Sequence, residues 1–327
     1  MRQLQHLAFL FLIVSSRPAA QLWAQDVTLP LKPGSVRFAV IGDMGTGEAP
    51  QYQVAERMLE FHQKFPFNFT IMVGDNIYGG RTPADMQRKF ETPYKPLMDA
   101  GVQFYGSLGN HDDTNERFYK FFNMNGQQYY SFKKGNVAFF ALDSDYLDPK
   151  QLDWLEKELA NAGTDWKICF FHHPLYSSAA FHGSSTELRT ILEPLFLKYG
   201  VQVVFSGHDH VYERVKPQKG IYYFNEGASG ELRWGNLKKT DLTATGYDKD
   251  RSFLTIEISG DDLSFQAISR TGITVDSGSI HRPGAPAPAR ARMTTATAVI
   301  RLHRHQPRRR LRLHRRPSRP NPTPIRP

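Results

Sequence analysis

The chain has 327 residues, of which 40% are hydrophobic and 13% aromatic, so its composition excludes a protein that is disordered over most of its length. Its formal net charge is +9, but 13 of its 41 basic residues fall between Arg282 and Pro327, where no acidic residue occurs. The other 281 residues carry 28 basic and 32 acidic side chains, and this balance of −4 argues against a nucleic-acid-binding face on the folded part.

The first 24 residues resemble an export signal. Arg2 supplies a positive charge, and an unbroken apolar run follows from Leu7 to Val14. That run is too short to span a bilayer, and Leu22-Trp23-Ala24 offers a cleavage site before Gln25. We therefore expect a signal peptide over residues 1–24 and a secreted or periplasmic protein, the alternative being an uncleaved anchor. No other segment approaches membrane-spanning length, so no membrane span is expected.

Short apolar segments then alternate with segments of helical periodicity. The expected strands are rich in Val, Ile and Phe, as strands buried on both faces are: Val36–Ile41, Phe69–Val73, Val102–Leu108, Val137–Leu142, Trp166–Phe171 and Val201–Phe205. Helices are expected at Pro50–Phe65, at Pro149–Ala162 behind the N-cap Asp148, and up to Gly200 behind a capping box of Ser184 and Glu187.

The last part of the ordered chain has a different pattern. Tyr222–Asn225, Phe253–Ile258 and Leu263–Ile268 are strand-like with little helix between them, and the turn Gly260-Asp261-Asp262 predicts a hairpin. An α/β first part that leads into antiparallel strands predicts an α/β fold with two packed sheets flanked by helices.

Five segments share one layout, in which a strand is followed by a glycine or aromatic residue and then by metal-binding side-chain types. They are Ile41-Gly42-Asp43-Met44-Gly45, Val73-Gly74-Asp75-Asn76-Ile77-Tyr78, Leu108-Gly109-Asn110-His111-Asp112, Phe171-His172-His173-Pro174 and Ser206-Gly207-His208-Asp209-His210. Each polar group stands just past the carboxyl end of a predicted strand, which is the edge where open α/β sheets bind ligands. We therefore expect the five loops to meet in one place.

Carboxylates, an amide oxygen, a phenol and imidazoles together suit Fe, Mn or Zn. His208 and His210 lie on the same side of an extended loop, because alternate residues do, and they could serve two adjacent metals or one. The alternative is that Asp43 and Asp75 cap helices and that the histidines are surface residues. Five such segments in order make chance a poor explanation.

These segments match the motif set of the metallophosphoesterase superfamily, and Tyr78, three residues after Asp75, makes the chain similar to the purple acid phosphatases. The resemblance covers roughly residues 36–280 and is to the small single-domain type, similar to the mammalian tartrate-resistant acid phosphatase. It implies the calcineurin-like fold, a four-layer αββα sandwich of two mixed sheets, in a catalytic domain of residues 34–281.

The resemblance also implies a binuclear centre of Fe(III) with Fe(II), Zn or Mn. Asp43, Tyr78 and His210 would bind the ferric ion, Asn110, His172 and His208 the divalent ion, and Asp75 would bridge the two.

The histidines near these ligands are assigned by the same resemblance. His172 is preferred to His173 because the family places the ligand two residues before the proline. His111 would stay off the metals and contact the substrate or leaving group. His182 lies about where the family carries another substrate-facing histidine.

The implied activity is that of an acid phosphatase, which hydrolyses small phosphate monoesters through a metal-bound hydroxide while His111 or His182 protonates the leaving group. Loops near Ala179–Ser185 and Glu231–Asn236 would line the mouth of the site. One alternative is a secreted phosphodiesterase or nucleotidase that uses two divalent metals on the same scaffold. Another is a non-catalytic metal-containing protein tethered through its basic tail.

Residues 282–327 contain nine prolines and 13 arginines, which leaves little to bury, so we predict a disordered tail. The tail could contact an anionic surface such as nucleic acid, phospholipid or cell-wall polymer, or be a dispensable extension. No specific nucleic-acid partner is expected.

Overall fold

The computed structural model describes residues 27–238 and 240–282, so the predicted signal peptide and the predicted tail beyond Arg282 lie outside the described residues. The strands are β1 (Val36–Ile41), β2 (Phe69–Val73), β3 (Gln103–Ser107), β4 (Tyr130–Lys134), β5 (Val137–Ala141), β6 (Trp166–Phe170), β7 (Val203–Ser206), β8 (Tyr212–Val215), β9 (Tyr222–Glu226), β10 (Thr243–Tyr247), β11 (Ser252–Ser259), β12 (Asp262–Ser269) and β13 (Thr274–His281). The α-helices are α1 (Ala49–Lys64), α2 (Pro83–Met86), α3 (Thr92–Asp99), α4 (Pro149–Asn161) and α5 (Thr186–Tyr199).

The strands form two mixed sheets. The first has the order β13-β12-β11-β1-β2-β3, in which β1, β2 and β3 are parallel and β11 runs antiparallel to β1. The second has the order β10-β8-β9-β7-β6-β5-β4, in which β5, β6, β7 and β9 are parallel. The five polar motifs follow parallel strands of these two sheets.

Aromatic side chains pack the two sheets together. Phe38 of β1 meets Phe139 of β5 edge-on, with 5.2 Å between ring centroids, and Phe69 of β2 meets the same ring at 5.4 Å. Phe224 of β9 lies 5.1 Å from Phe265 of β12. All of these rings are buried, and burial of large aromatic surfaces stabilises the stacked sheets.

Helices cover the outer face of each sheet. Phe61 of α1 packs on Phe253 of β11 at 6.0 Å between centroids. On the other side, Leu155 of α4 and Leu192 of α5 are buried in one cluster with Cys169 of β6. The predicted four-layer αββα sandwich is therefore confirmed. Within the described part of the chain, no helix is long and apolar enough to cross a membrane.

The two helix caps predicted from the sequence have different outcomes. Asp148 caps α4 as predicted and accepts a hydrogen bond from Gln151 N at 2.8 Å. The capping box of Ser184 and Glu187 is wrong. The hydroxyl of Ser184 instead contacts the backbone N and O of Ser177, and α5 begins without a side-chain cap.

Candidate metal centre

The carboxyl ends of parallel strands from both sheets bring the polar motifs together. Asp43, Asp75 and Asn110 follow β1, β2 and β3, while His172, His208 and His210 follow β6 and β7. Hydrogen bonds join the loops directly: the backbone N–H of His208 donates to Asp43 Oδ2 at 2.9 Å, and that of His111 donates to Asp75 Oδ1 at 2.8 Å. The site therefore exists only where the two sheets meet.

Three of these residues have a left-handed backbone conformation, with φ of 53° at Asp43, 50° at Asp75 and 68° at His208. Residues with a side chain rarely adopt this conformation, and it persists where the surrounding structure holds it and a function needs it. Gly74, with φ of 91°, supplies the turn that leads from β2 into Asp75. The backbone is thus shaped to aim carboxylate and imidazole groups at one point.

The first group of donor atoms surrounds the phenol of Tyr78. Its oxygen lies 3.2 Å from Asp43 Oδ1, 3.0 Å from Asp75 Oδ2 and 3.3 Å from His210 Nε2. Ligand atoms of Asp43, Asp75 and His210 all lie within 4.8 Å of one another. Two carboxylates, a phenol and an imidazole therefore converge on one side of the site.

The second group surrounds His172. Its Nε2 lies 3.0 Å from Asn110 Oδ1, 3.1 Å from His208 Nδ1 and 3.5 Å from Asp75 Oδ1. Asp75 thus directs one carboxylate oxygen to each group. All seven predicted ligand residues lie in these two groups, which we call the donor cluster.

The donor cluster has the chemistry that a cation requires. His172 Nδ1 lies 3.0 Å from Val73 O, and because a carbonyl only accepts, Nδ1 carries the proton. Nε2 then presents a lone pair to Asn110 Oδ1, another acceptor. Burial lowers the pKa of His172 well below its usual value, so the imidazole is neutral, as a metal ligand must be. A cation between these acceptors would satisfy both.

Burial and mutual repulsion dominate the other titrations at the donor cluster. Burial, and then the charge of Asp75, raises the pKa of Asp43 well above its usual value, and burial also raises the pKa of Asp75. Burial followed by the neighbouring His172 lowers the pKa of His208 to about 2. Bound cations favour deprotonated ligands and would lower the pKa of both carboxyl groups.

The two predicted catalytic histidines lie at the exposed side of the donor cluster. The His111 ring packs against Tyr78 with 4.9 Å between centroids, and the His182 ring lies 4.0 Å from that of His208. His173 lies farther along the loop, where its Nδ1 is 3.0 Å from Ser144 Oγ. Its ring approaches His208 without entering either donor group.

Residues that the motifs do not mark as ligands hold these loops in place. Asp112 accepts hydrogen bonds from Asn76 Nδ2 at 2.8 Å, Ile77 N at 3.0 Å and Gly109 N at 2.9 Å, so it joins the loops after β2 and β3. The position of Asp112 inside the Asn-His-Asp motif is the one feature of the sequence that points to this role.

The loop after β9 contributes Arg233, which the sequence analysis did not single out. Its backbone N–H donates to the carbonyl of His210 at 2.9 Å. This loop and the segment around Ala179 lie beside the donor cluster, where the sequence analysis expected the mouth of the site, and they pair through a bridge between Ala179 and Leu237.

Comparisons with known proteins agree with this arrangement. Residues 36–212 match the family model described as calcineurin-like phosphoesterase. The chain is 26% identical to purple acid phosphatase 4 of Arabidopsis thaliana over 296 residues, which covers 78% of this chain and 86% of the relative. It is 26% identical to tartrate-resistant acid phosphatase type 5 of Rattus norvegicus over 322 residues, covering 81% of this chain and 98% of the relative.

Two solved structures are similar in fold. GAP50, described as the anchor in the inner membrane complex of Plasmodium, superposes with a TM-score of 0.68 at 20% identity and covers 76% of this chain and 89% of its own. The purple acid phosphatase PPD1 of yellow lupin (Lupinus luteus) gives a TM-score of 0.62 at 21% identity, covering 77% and 55%. The family model spans more than half of the chain and includes all five motifs, so the chain belongs to the calcineurin-like phosphoesterase family, as a hydrolase that resembles the purple acid phosphatases.

Proposed function

We propose that this protein hydrolyses phosphate monoesters at a binuclear metal centre and works as an acid phosphatase. The observation that carries the proposal is the position of Asp75 between the two donor groups. Its Oδ2 lies 3.0 Å from the Tyr78 oxygen, and its Oδ1 lies 3.5 Å from His172 Nε2. A carboxylate shared in this way suits a ligand that bridges two ions.

The ligand sets follow the two donor groups. Asp43, Tyr78 and His210 would hold Fe(III), and Asn110, His172 and His208 would hold Fe(II), Zn or Mn, with Asp75 common to both. When bound, the two ions polarise the phosphoryl group and make water a stronger nucleophile near neutral pH. The chain's own residues would hold the ions and shape the side from which the substrate enters.

His111 and His182 would act on the substrate from the exposed side of the donor cluster. Each imidazole can donate a hydrogen bond to a phosphoryl oxygen or hold a proton for the departing alkoxide. Burial, and then the positive charge of Arg233, lowers the pKa of His182. His182 is therefore protonated only in acid, which supports an acid optimum if its proton goes to the leaving group.

The export signal expected over residues 1–24 supports a secreted or periplasmic location, and small phosphorylated compounds are the proposed substrates.

The substrate proposal is tested with the purified, metal-loaded protein. We would measure kcat/KM for phenyl phosphate and for diphenyl phosphate across acidic and neutral pH, with Asp75→Asn as the control for the metal centre. The proposal predicts faster turnover of the monoester, an optimum below neutral pH, and loss of both activities in Asp75→Asn. Faster turnover of the diester would favour the phosphodiesterase alternative.

A further inference from the structure

Arg233 lies in a loop beside the donor cluster, and hydrogen bonds hold this loop in place. The backbone N–H of Arg233 donates to the carbonyl of His210, and the loop also bonds to the segment that contains Phe181 and His182. Ala180 N donates to Asn236 O at 2.9 Å, and Phe181 N donates to Asn236 Oδ1 at 3.0 Å. These bonds hold the backbone of the Arg233 loop in place beside the donor cluster.

The guanidinium of Arg233 is part of a continuous stack that leads to the donor cluster. Its central carbon lies 3.6 Å from the centroid of the Phe181 ring. The Phe181 ring lies 4.6 Å from His182, whose own ring lies 4.0 Å from His208. The positive charge is therefore about two side chains away from a proposed metal ligand.

No counter-ion accompanies this charge among residues 27–238 and 240–282. Seven other arginines in that part of the chain pair with a carboxylate: Arg37, Arg57, Arg81, Arg88, Arg214, Arg270 and Arg282. Arg233 is half-buried, yet its guanidinium has neither a carboxylate nor another hydrogen-bond acceptor there, and its contact is the face of Phe181.

Bound metal ions would repel the guanidinium of Arg233, so they do not explain why a positive charge lies in this position. Its free N–H groups form a planar fork, which suits the oxygens of a phosphate. The phosphoryl group that is transferred would lie at the donor cluster itself. An anion on Arg233 would therefore belong to the leaving group of the substrate.

We propose that Arg233 binds a second phosphate in the leaving group, so that the enzyme prefers phosphate esters and anhydrides of that class; the proposal rests on the phosphatase function proposed above. In the reaction, the P–O bond to the leaving group breaks and water supplies the new P–O bond. The leaving group takes a proton and retains its phosphate on Arg233.

The first test compares two substrates across three variants of the metal-loaded protein. Pyrophosphate has a second phosphate in its leaving group, and phenyl phosphate has none. Arg233→Ala should lower kcat/KM for pyrophosphate about 10- to 100-fold, the loss expected when charge-assisted hydrogen bonds are removed, and should change phenyl phosphate less than about threefold. Arg233→Lys should recover part of the loss, because it keeps the charge without the fork.

Lys238→Ala is the matched control, since Lys238 is an exposed cation on the same loop whose amine reaches the Gly235 carbonyl at 3.4 Å. It should leave both substrates unchanged. An equal loss on both substrates in Arg233→Ala, or no loss on pyrophosphate, would overturn the proposal.

A binding measurement separates this proposal from the proposed function. Calorimetry would compare methylenediphosphonate with methylphosphonate, neither of which is hydrolysed, on wild type and Arg233→Ala. The proposal predicts tighter binding of the diphosphonate by wild type and loss of that preference in the variant. If wild type shows this preference but hydrolyses no phosphoester, the phosphatase function fails and the Arg233 site stands. If it hydrolyses phenyl phosphate but shows no Arg233-dependent preference, the Arg233 proposal alone fails.

Discussion

Tyr78 is the residue that distinguishes this donor cluster from a set of carboxylates and imidazoles. Its phenol oxygen reaches Asp43, Asp75 and His210, and its ring packs on His111. In a centre that contains Fe(III), a coordinated phenolate absorbs visible light. Tyr78 is therefore both a proposed ligand and a proposed chromophore.

Replacing Tyr78 with Phe removes the oxygen and keeps the ring. We expect the iron-loaded wild type to show a visible absorption band and Tyr78→Phe to lack it. The free energy of unfolding of the metal-free protein should change by about 1 kcal/mol or less, which is the usual contribution of one hydrogen bond. Absorption spectra of both proteins at equal iron content make the comparison. A band that persists in Tyr78→Phe would show that another group is the chromophore.

Glu226 is a buried carboxyl group behind the donor cluster. Its Oε1 accepts a hydrogen bond from Ser252 Oγ at 2.9 Å, while its Oε2 has no partner among the described residues. Burial raises the pKa of Glu226 from 4.5 to about 8. Between pH 4.5 and about 8, Glu226 is therefore protonated in the folded state and ionised in the unfolded state.

This difference gives the metal-free protein a pH-dependent stability with a definite sign. The contribution of Glu226 is fully present below pH 4.5 and is lost as the pH rises toward about 8. Glu226→Gln has no such titration, so its free energy of unfolding relative to wild type should rise by a few kcal/mol across that window. Urea unfolding of both metal-free proteins at the two ends of the window measures this, and parallel pH profiles would refute it.

The proposed ligand residues could be identified from the sequence because each stands in a short motif after a strand. The resemblance to the family favours His172 over His173 as a ligand. The structure adds a physical reason, because the Nδ1–H of His172 donates to Val73 O and leaves Nε2 with a lone pair for a metal ion. Arg233 could not be predicted in this way. It follows β9 without a motif, and the role that we propose for it depends on the absence of a carboxylate partner among the described residues, which only the folded structure reveals.

At the scale of elements, the turns after β2 and β3 determine how closely the loop that contains Asp75 approaches the loop that contains Gly109. A Cβ on Gly109 would lie 2.3 Å from Asp75 Oδ1 and 2.4 Å from its backbone N. No heavier residue fits there unless the backbone moves. The glycine of the Gly-Asn-His motif is therefore a packing requirement of the proposed bridging ligand.

Gly109→Ala should separate these loops and reduce the metal content below that of wild type. Overpacking of this kind costs about 1–3 kcal/mol of stability. Gly106→Ala, three residues earlier and within β3, is the control, because its Cβ would meet only the end of Met72 closely, at 3.2 Å. Metal analysis and thermal unfolding of both variants test this, and a full metal complement in Gly109→Ala would contradict it.

The elements that the sequence predicted well are the ones buried on both faces. Most side chains are buried in β1, β2 and β5–β7. Few of their positions are therefore polar, and each strand can be recognised in the sequence as an apolar run. β4, β8, β10 and β13 were not predicted. They are short or partly exposed and carry polar residues, and their pairing partners rather than their own patterns make them strands.

At the scale of the whole molecule, the donor cluster depends on the stacking of two sheets. Asp75 comes from the first sheet, and His172 and His208 come from the second, so no single sheet contains a complete site. The aromatic core between the sheets sets their alignment. Metal ions that bind only this arrangement should stabilise it, because a ligand of the native state shifts the folding equilibrium.

The central claim is that two bound metals make this chain a phosphatase. The most direct test removes the metals with a chelator, returns iron and zinc in measured equivalents, and follows phosphate release from phenyl phosphate at each step. The account predicts no turnover without metal and a rise that reaches a plateau at about two ions per chain. A protein that binds two ions tightly and releases no phosphate at any loading would contradict it, and would favour the non-catalytic metal-containing protein.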